Sequence, residues 1–416
     1  MNSQAPILIV GAGQAGVQIA ESLRQEGFGG ELLLIGEEPH PPYQRPPLSK
    51  KWLADGGSGS AVSLAIRGAE ALARRRIELK LDARVAAVDR RAGELTFSNG
   101  ERLRYGKLAF ATGSLPRILP VPGAMLEGVL YLRGIADSRA IAEAIRRCAA
   151  DQQRVVVIGG GFIGLEVAAG ARKLGAEVTV IEGLERLMSR VTAQVVSEAF
   201  ERVHRAHGVE FVFDAQVVEL SGRGGRVELV RTADGREFPA GCVVVGIGVA
   251  PDDRIAAEAG VACDRGIIVD ECSRTSDPVI AAAGDCTARR LPDGRLQRLE
   301  SVQNAVEQGK SAAAALMGRS RPFHATPWFW SDQYDVKLQM AGLSHGYDQV
   351  VTRGDLHKPA FSAFYFRAGR LVAVDSLNRI SDHMLAKRLL DHDLSPTVEQ
   401  VTNPDFDLHG LVKQSA

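Results

Sequence analysis

Cysteine is scarce in this 416-residue chain and poorly placed for metal or disulfide chemistry. Cys148, Cys242, Cys263, Cys272 and Cys286 include no Cys-x-x-Cys pair and no zinc or iron–sulfur spacing. Such scatter fits a reducing compartment, where cysteines behave as small buried apolar residues. Net charge is missing as well. Lys plus Arg and Asp plus Glu number 50 each, so nothing overall points to nucleic acid or an anionic membrane. Local clusters such as Arg74-Arg75-Arg76 and Arg289-Arg290 read as solvated faces. No apolar run approaches the roughly 18 residues of a membrane span. A strand-like Ile7-Leu-Ile-Val10 begins too early to leave room for a signal peptide, and the expected location is the cytoplasm. The nine histidines show no metal-ligand spacing, and no Ser/His/Asp arrangement stands out. No metal is expected.

Glycine is what the chain has in place of these. Gly11-Ala-Gly13-Gln-Ala-Gly16 and Gly159-Gly-Gly161-Phe-Ile-Gly164 each follow a strand-like apolar run and open a helix-like one. In such a turn the first glycine makes the tight bend, the second lets backbone approach a pyrophosphate, and the third lets helix pack on strand. The helix N-terminus then offers free N–H groups and a positive dipole end to the phosphates. The first unit reads as strand Ile7 to Val10, helix about Gln14 to Glu26 and strand Glu31 to Ile35. The second reads as strand Arg154 to Ile158, helix about Phe162 to Leu174 and strand Glu177 to Ile181. Glu37 and Glu182 end the two second strands, about 20 residues past the glycines, where an acid holds the ribose hydroxyls. Two dinucleotides in one chain imply electron transfer between them. A 2′-phosphate about 4 Å from Glu182 would cost roughly 1–4 kcal/mol, which favours NADH over NADPH. Arg186, four residues on, could soften that preference.

The likeness between the halves continues downstream. Each βαβ unit is followed by short strands and a hairpin signal, Asn99-Gly100 in one and Asp234-Gly235 in the other. The blocks then close on Phe110-Ala-Thr112-Gly113 and Gly246-Ile-Gly248. The first block also carries a Pro-rich stretch, Pro41 to Lys50. From about His324 the texture changes to an aromatic-rich segment, with strands Phe361 to Phe366 and Leu371 to Val374 around Gly369. A helix is expected after Ser381 as N-cap. The fold class is α/β: two Rossmann-like dinucleotide-binding domains of glutathione reductase-like kind, plus a C-terminal α+β domain. The boundaries are 1–115 with 248–323, then 116–247, then 324–416.

The residues also carry a family resemblance. Both fingerprints, Ala111-Thr112-Gly113, Gly246-Ile-Gly248-Val-Ala-Pro251 and Gly284-Asp285 belong to its pattern. More specific are Pro42-Tyr-Gln-Arg45-Pro-Pro-Leu-Ser-Lys50, Glu300-Ser-Val-Gln303-Asn-Ala-Val-Glu-Gln308 and Trp328-Phe-Trp330-Ser-Asp-Gln-Tyr334. From Ile7 to Ala416 the chain resembles the FAD-dependent pyridine-nucleotide reductases, and within them the ferredoxin reductases of putidaredoxin reductase type. The resemblance implies that the first fingerprint, with Glu37, Arg45, Thr112, Gly113, Gln303 and Trp330, binds FAD and that Asp285 holds the ribityl chain. The second fingerprint, with Glu182 and Gly248, would bind NADH. Disulfide-reducing relatives carry a redox cysteine pair where this chain has its Pro-rich stretch, so electrons are expected to leave the flavin without a thiol.

In the resembled family Lys50 and Glu166, one from each nucleotide domain, meet beside the reactive flavin nitrogen. The cation would stabilise arriving electron density and the carboxylate would fix its position. An ordinary ion pair is the other reading of these two residues. Trp330 would lie against the flavin, while Trp328 reads as core packing. The expected activity is an NADH:ferredoxin oxidoreductase that serves a [2Fe–2S] ferredoxin, which in turn feeds a haem-thiolate monooxygenase or ring-hydroxylating dioxygenase. Lys310, Lys387 and Arg388, following helix-like segments, could form a basic patch for that ferredoxin. Two other readings stay open: an NADH oxidase or quinone reductase of related fold, and a redox-gated interaction protein resembling apoptosis-inducing factor.

Overall fold

The computed structural model describes residues 5–291 and 293–413. They form two compact units, each assembled from separated stretches of chain. The first takes the residues up to Arg45, Ser60–Leu115 and Val249–Ala325; the second takes Pro46–Gly59, Pro116–Gly248 and the chain from Thr326 on. The stretch Pro46–Gly59, which the sequence reading places in the first block, is grouped with the second unit.

In the first unit a five-stranded parallel sheet runs in the order Ile280–Ala282, Lys107–Phe110, Ile7–Val10, Leu32–Ile35, Glu78–Lys80. Every residue of Ile7–Val10 and Leu32–Ile35 is buried, as a sheet covered on both faces requires. Helix Gln14–Gln25 packs on one face together with helix Val302–Leu316. The two helices come close at Gly309, where a Cβ would stand 2.9 Å from the Gln18 side chain. The other face meets a three-stranded antiparallel sheet, Val85–Asp89, Glu94–Phe97 and Arg102–Arg104, whose Asn99-Gly100 turn has Gly100 at φ +86°.

The second unit repeats the plan. Its parallel sheet runs Val209–Val212, Glu177–Ile181, Arg154–Ile158, Cys242–Val245, Val129–Tyr131. Helix Phe162–Lys173 follows the second glycine turn. The chain from Thr326 on adds a five-stranded antiparallel sheet in the order Trp328–Gln333, Val336–Gly342, Arg370–Leu377, Ala360–Arg367, Gln349–Asp355. One face of that sheet packs on helix Gln194–Ala206 through Phe361, Tyr365, Val196 and Phe200. The other is covered by helix Ile380–Asp391. This helix starts one residue before Ser381, so Ser381 is not its cap. Arg379 holds the N-cap position, and Asp382 in the first turn takes the Arg379 guanidinium at 2.6 Å and the Ser362 hydroxyl at 2.8 Å. A carboxylate there is favoured by the helix dipole, and the serine is not needed. Among the described residues no helix is long and apolar enough to cross a membrane.

Candidate active site and cofactor cradles

Three adjacent parallel strands of the first unit end at one edge, and the candidate residues follow directly from their ends. Gly11 comes after Val10, Thr112 and Gly113 after the strand ending at Phe110, and Asp285 after the strand ending at Ala282. Glu37 lies just past the fourth strand, Leu32–Ile35. Ligands of open α/β sheets bind along such carboxyl ends. Gly11 has φ +113°, and a Cβ there would lie 2.1 Å from the Ala111 carbonyl oxygen. A Cβ on Gly16 would lie 1.9 Å from the Gly11 carbonyl oxygen, whereas Gly13 faces open space. The N-terminus of helix Gln14–Gln25 carries no side-chain cap, so its first N–H groups are left for a phosphate. The glycine turn therefore fits a dinucleotide pyrophosphate.

The rest of this edge is held by polar contacts. The Ser114 hydroxyl donates to Asp285 Oδ2 at 3.2 Å, and the Thr112 hydroxyl donates to the Asp252 carbonyl. Gln308 Oε1 accepts from the Gly284 N–H at 2.8 Å and from the Thr287 hydroxyl at 3.0 Å, fixing the turn that presents Asp285. The buried Gln303 Oε1 has no hydrogen-bond partner among the described residues. Arg45 is engaged with its neighbour Glu38 at 2.6 Å. Burial acts to raise the Glu38 carboxyl, but the Arg45 guanidinium and the Tyr43 hydroxyl outweigh it and hold Glu38 below the usual range. Glu37 stays largely exposed, 3.5 Å from Arg84 Nε.

The second cradle has the same construction. A Cβ on Gly159 would lie 2.5 Å from the Gly246 carbonyl oxygen, one on Gly164 would lie 2.0 Å from that of Gly159, and Gly161 faces open space. Helix Phe162–Lys173 has no side-chain cap. Gly248 adopts φ +100° and accepts the Arg117 N–H at 3.0 Å. Glu182 also shapes the loop, because it accepts the Gly160 N–H at 2.6 Å and the Leu184 N–H at 3.0 Å. Arg186, four residues on, donates to the Thr192 and Ser189 carbonyls and to the Ser197 hydroxyl. Its guanidinium is tied back to the chain and, among the described residues, forms no ion pair with Glu182.

Lys50 and Glu166 meet within the second unit. Lys50 Nζ lies 2.9 Å from Glu166 Oε2, in an ion pair whose carboxylate side chain is 1% exposed. The Ser49 hydroxyl donates to the same oxygen, and the Ser331 hydroxyl donates to Oε1 at 2.5 Å. A buried carboxylate needs such donors on both oxygens to offset its lost hydration. Glu166 is the fifth residue of helix Phe162–Lys173, past its first turn, so these donors and not the helix dipole hold the charge. The adjacent strand Trp328–Gln333 alternates in the usual way. Trp328 and Trp330 share one side, with ring centroids 5.5 Å apart, and Phe329 packs on Phe162 at 4.8 Å.

A family model described as pyridine nucleotide-disulphide oxidoreductase matches residues 5–309, and one described as reductase C-terminal matches residues 328–412. The chain belongs to the pyridine nucleotide-disulphide oxidoreductase family. Rhodocoxin reductase of Rhodococcus erythropolis is 45% identical over 97% of this chain and 93% of its own length. Putidaredoxin reductase of Pseudomonas putida is 42% identical over 94% and 92%. Among solved structures, the ferredoxin reductase for the CYP199A2 system from Rhodopseudomonas palustris matches with a TM-score of 0.94 at 43% identity, covering 98% of this chain and 100% of that one. The covalent putidaredoxin reductase–putidaredoxin complex matches at 0.93 with 38% identity, covering 99% of each. The resemblance read from the sequence, to ferredoxin reductases of putidaredoxin reductase type, is borne out, as is the α/β fold class with a C-terminal reductase domain. This member of the family is an oxidoreductase that uses FAD and NAD(H).

The disulphide in the family description has no counterpart in the Pro-rich stretch here. All five cysteines are free, and the pair Cys148–Cys242, 3.5 Å apart, is buried in the helix–sheet core of the second unit. Ser49, Ser331 and Gln308 join the site without a signal of their own in the sequence, since serine and glutamine are common in any motif, although all three stand within the Pro42–Lys50, Glu300–Gln308 and Trp328–Tyr334 segments. Lys310, Lys387 and Arg388 lie within helices and not beyond them, and they divide between the two units. Lys310 is paired with Glu307 at 2.6 Å, and Lys387 Nζ stands 5.3 Å from the centre of the Trp328 ring. Among the described residues no group of three or more His, Cys, Asp or Glu side chains could hold a metal ion.

Proposed function

We infer that this chain is an NADH-dependent ferredoxin reductase, which passes electrons from NADH through FAD to a [2Fe–2S] ferredoxin that supplies a monooxygenase or ring-hydroxylating dioxygenase. The observation that carries the reading is the Lys50–Glu166 pair at the end of a Pro-rich stretch without a thiol. FAD, when bound, supplies a two-electron acceptor for hydride that can be emptied one electron at a time. Residues 1–115 with 248–323 hold it through Gly11, Gly13, Gly16, Glu37, Arg45, Thr112, Gly113, Asp285 and Gln303. Residues 116–247 hold NADH through Gly159, Gly161, Gly164, Glu182 and Gly248, and residues 324–416 carry Trp330 to the flavin ring. Lys50 places its ammonium where negative charge develops on that ring, and Glu166 holds the ammonium there. Lys387 and Arg388, with Lys310 in a lesser part, meet the acidic face of the ferredoxin. The scattered free thiols support a cytoplasmic setting.

The test is NADH-driven reduction of a panel of [2Fe–2S] ferredoxins, read against the rate with oxygen alone. Ferredoxin reduction well above the oxygen rate is expected. NADH consumption unchanged by every ferredoxin would favour an oxidase instead.

A further inference from the structure

Glu166 has a support that the reductase reading does not use. The Ser331 hydroxyl donates to its Oε1, Gln333 Nε2 lies 3.0 Å from Ser331 Oγ, and Gln333 Oε1 lies 2.8 Å from His204 Nε2. Ser331, Gln333 and His204 are fully buried. These four side chains come from helix Phe162–Lys173, strand Trp328–Gln333 and helix Gln194–Ala206, all within the second unit.

Donor and acceptor chemistry gives this chain of bonds one direction. An amide nitrogen only donates and an amide oxygen only accepts, so Gln333 donates to Ser331 and accepts from His204. His204 must then carry its proton on Nε2. Its Nδ1 is buried without a hydrogen-bond partner, which costs less for a bare ring nitrogen than for a stranded N–H. With one Ser331 lone pair taken by Gln333, the hydroxyl proton turns to the carboxylate, which can only accept. Every donor in the series therefore points towards Glu166, and each link fixes the rotation of the next. Ser331 and Gln333 stand two apart on their strand, on the face opposite Trp328 and Trp330.

We propose that Ser331 and Gln333 are positioning residues for flavin reduction: the directed chain from His204 holds the Glu166 carboxylate in one orientation, and through it the Lys50 ammonium. This rests on the reductase reading of Lys50. Losing a charge-assisted bond to Glu166 frees the carboxylate to rotate, so Ser331→Ala should slow the step that needs Lys50 and leave NADH binding alone.

The experiment uses the full-length protein loaded with FAD, in anaerobic stopped-flow with NADH. Ser331→Ala is expected to lower the limiting rate of flavin reduction about tenfold, with the NADH dissociation constant within about twofold of wild type. Ser331→Thr, which keeps the hydroxyl, should restore most of the rate. Gln333→Leu should slow reduction by a smaller factor, and adding it to Ser331→Ala should cost nothing more, because it acts through Ser331. Apart from turnover, nitrogen-15 NMR of labelled histidine should show His204 as the Nε2–H tautomer, with signals that move in Gln333→Leu. Wild-type reduction rates in both single variants, additive losses, or an Nδ1–H tautomer would each overturn the inference. If Ser331→Ala does not fold, Gln333→Leu and the tautomer decide. Lys50→Met is the control. If it slows reduction while Ser331→Ala and Gln333→Leu do not, this inference alone fails; if Lys50→Met reduces like wild type, the reductase reading of the pair fails and this one falls with it.

Discussion

Lys50 Nζ meets Glu166 Oε2 at 2.9 Å, and the ammonium keeps some exposure while the carboxylate has almost none. That asymmetry suits a cation presented by its partner to a third group. Lys50→Met keeps most of the length of the side chain and removes the charge. It should retain FAD and lower the rate of flavin reduction by NADH about 100-fold in stopped-flow, the scale seen when one preorganised electrostatic donor is lost. Unchanged reduction with full FAD content would reduce the pair to an ordinary ion pair.

How far this was legible in the sequence depends on what each residue does. Gly11, Gly16, Gly159 and Gly164 could be read directly, because a backbone oxygen 1.9 to 2.5 Å from each missing Cβ leaves no other residue possible. The strands Arg154–Ile158 and Glu177–Ile181 were legible through their apolar runs. The grouping of Pro46–Gly59 with the second unit was not, since that packing depends on Leu53 meeting Ile141 and Val167 far along the chain. Ser331 and Gln333 were hidden for a similar reason. A polar residue on a buried strand face has no periodic signature, and its partner Glu166 is 165 residues from Ser331.

Cofactor choice can be tested at Glu182. Arg186 is held by Thr192, Ser189 and Ser197 and forms no ion pair with Glu182 among the described residues, so discrimination against a 2′-phosphate should be firm. Glu182→Ser should raise the NADPH-to-NADH ratio of kcat/KM at least about tenfold. Its kcat/KM for NADH should fall as well, because the Gly160 and Leu184 N–H groups lose their acceptor. A ratio that stays at the wild-type value would remove Glu182 from the ribose site.

For the ferredoxin surface, the two named lysines should differ. Lys310 is already neutralised by Glu307, whereas Lys387 lies over Trp328 and pairs with no carboxylate among the described contacts. Lys387→Gln should raise the KM for a [2Fe–2S] ferredoxin several-fold at low salt, with flavin reduction by NADH unchanged. The difference should shrink as ionic strength rises past about 0.15 M, where the screening length is about 8 Å. Lys310→Gln should have the smaller effect. Equal and salt-independent effects at both positions would remove the electrostatic account.

The buried His204 makes stability depend on pH with a definite sign. Burial lowers its imidazole to about 4, against 6.5 for an ordinary histidine. Between those values the unfolded chain binds a proton that the folded one refuses. The stability this site contributes is therefore present above about pH 6.5 and lost as pH falls towards 4, up to roughly 3 kcal/mol. Asp375 works the other way. Burial pushes its carboxyl up to about 7, so its contribution is lost as pH rises from the ordinary carboxylate range to 7. Comparing wild type with His204→Gln, which stays neutral and still offers an N–H donor, cancels Asp375 and leaves His204. The apparent unfolding midpoint of wild type should drop further than that of the variant between about pH 7 and pH 4. Parallel curves over that window would mean that His204 takes up its proton in the folded protein as readily as in the unfolded one, which would leave a buried Nδ1–H in need of an acceptor.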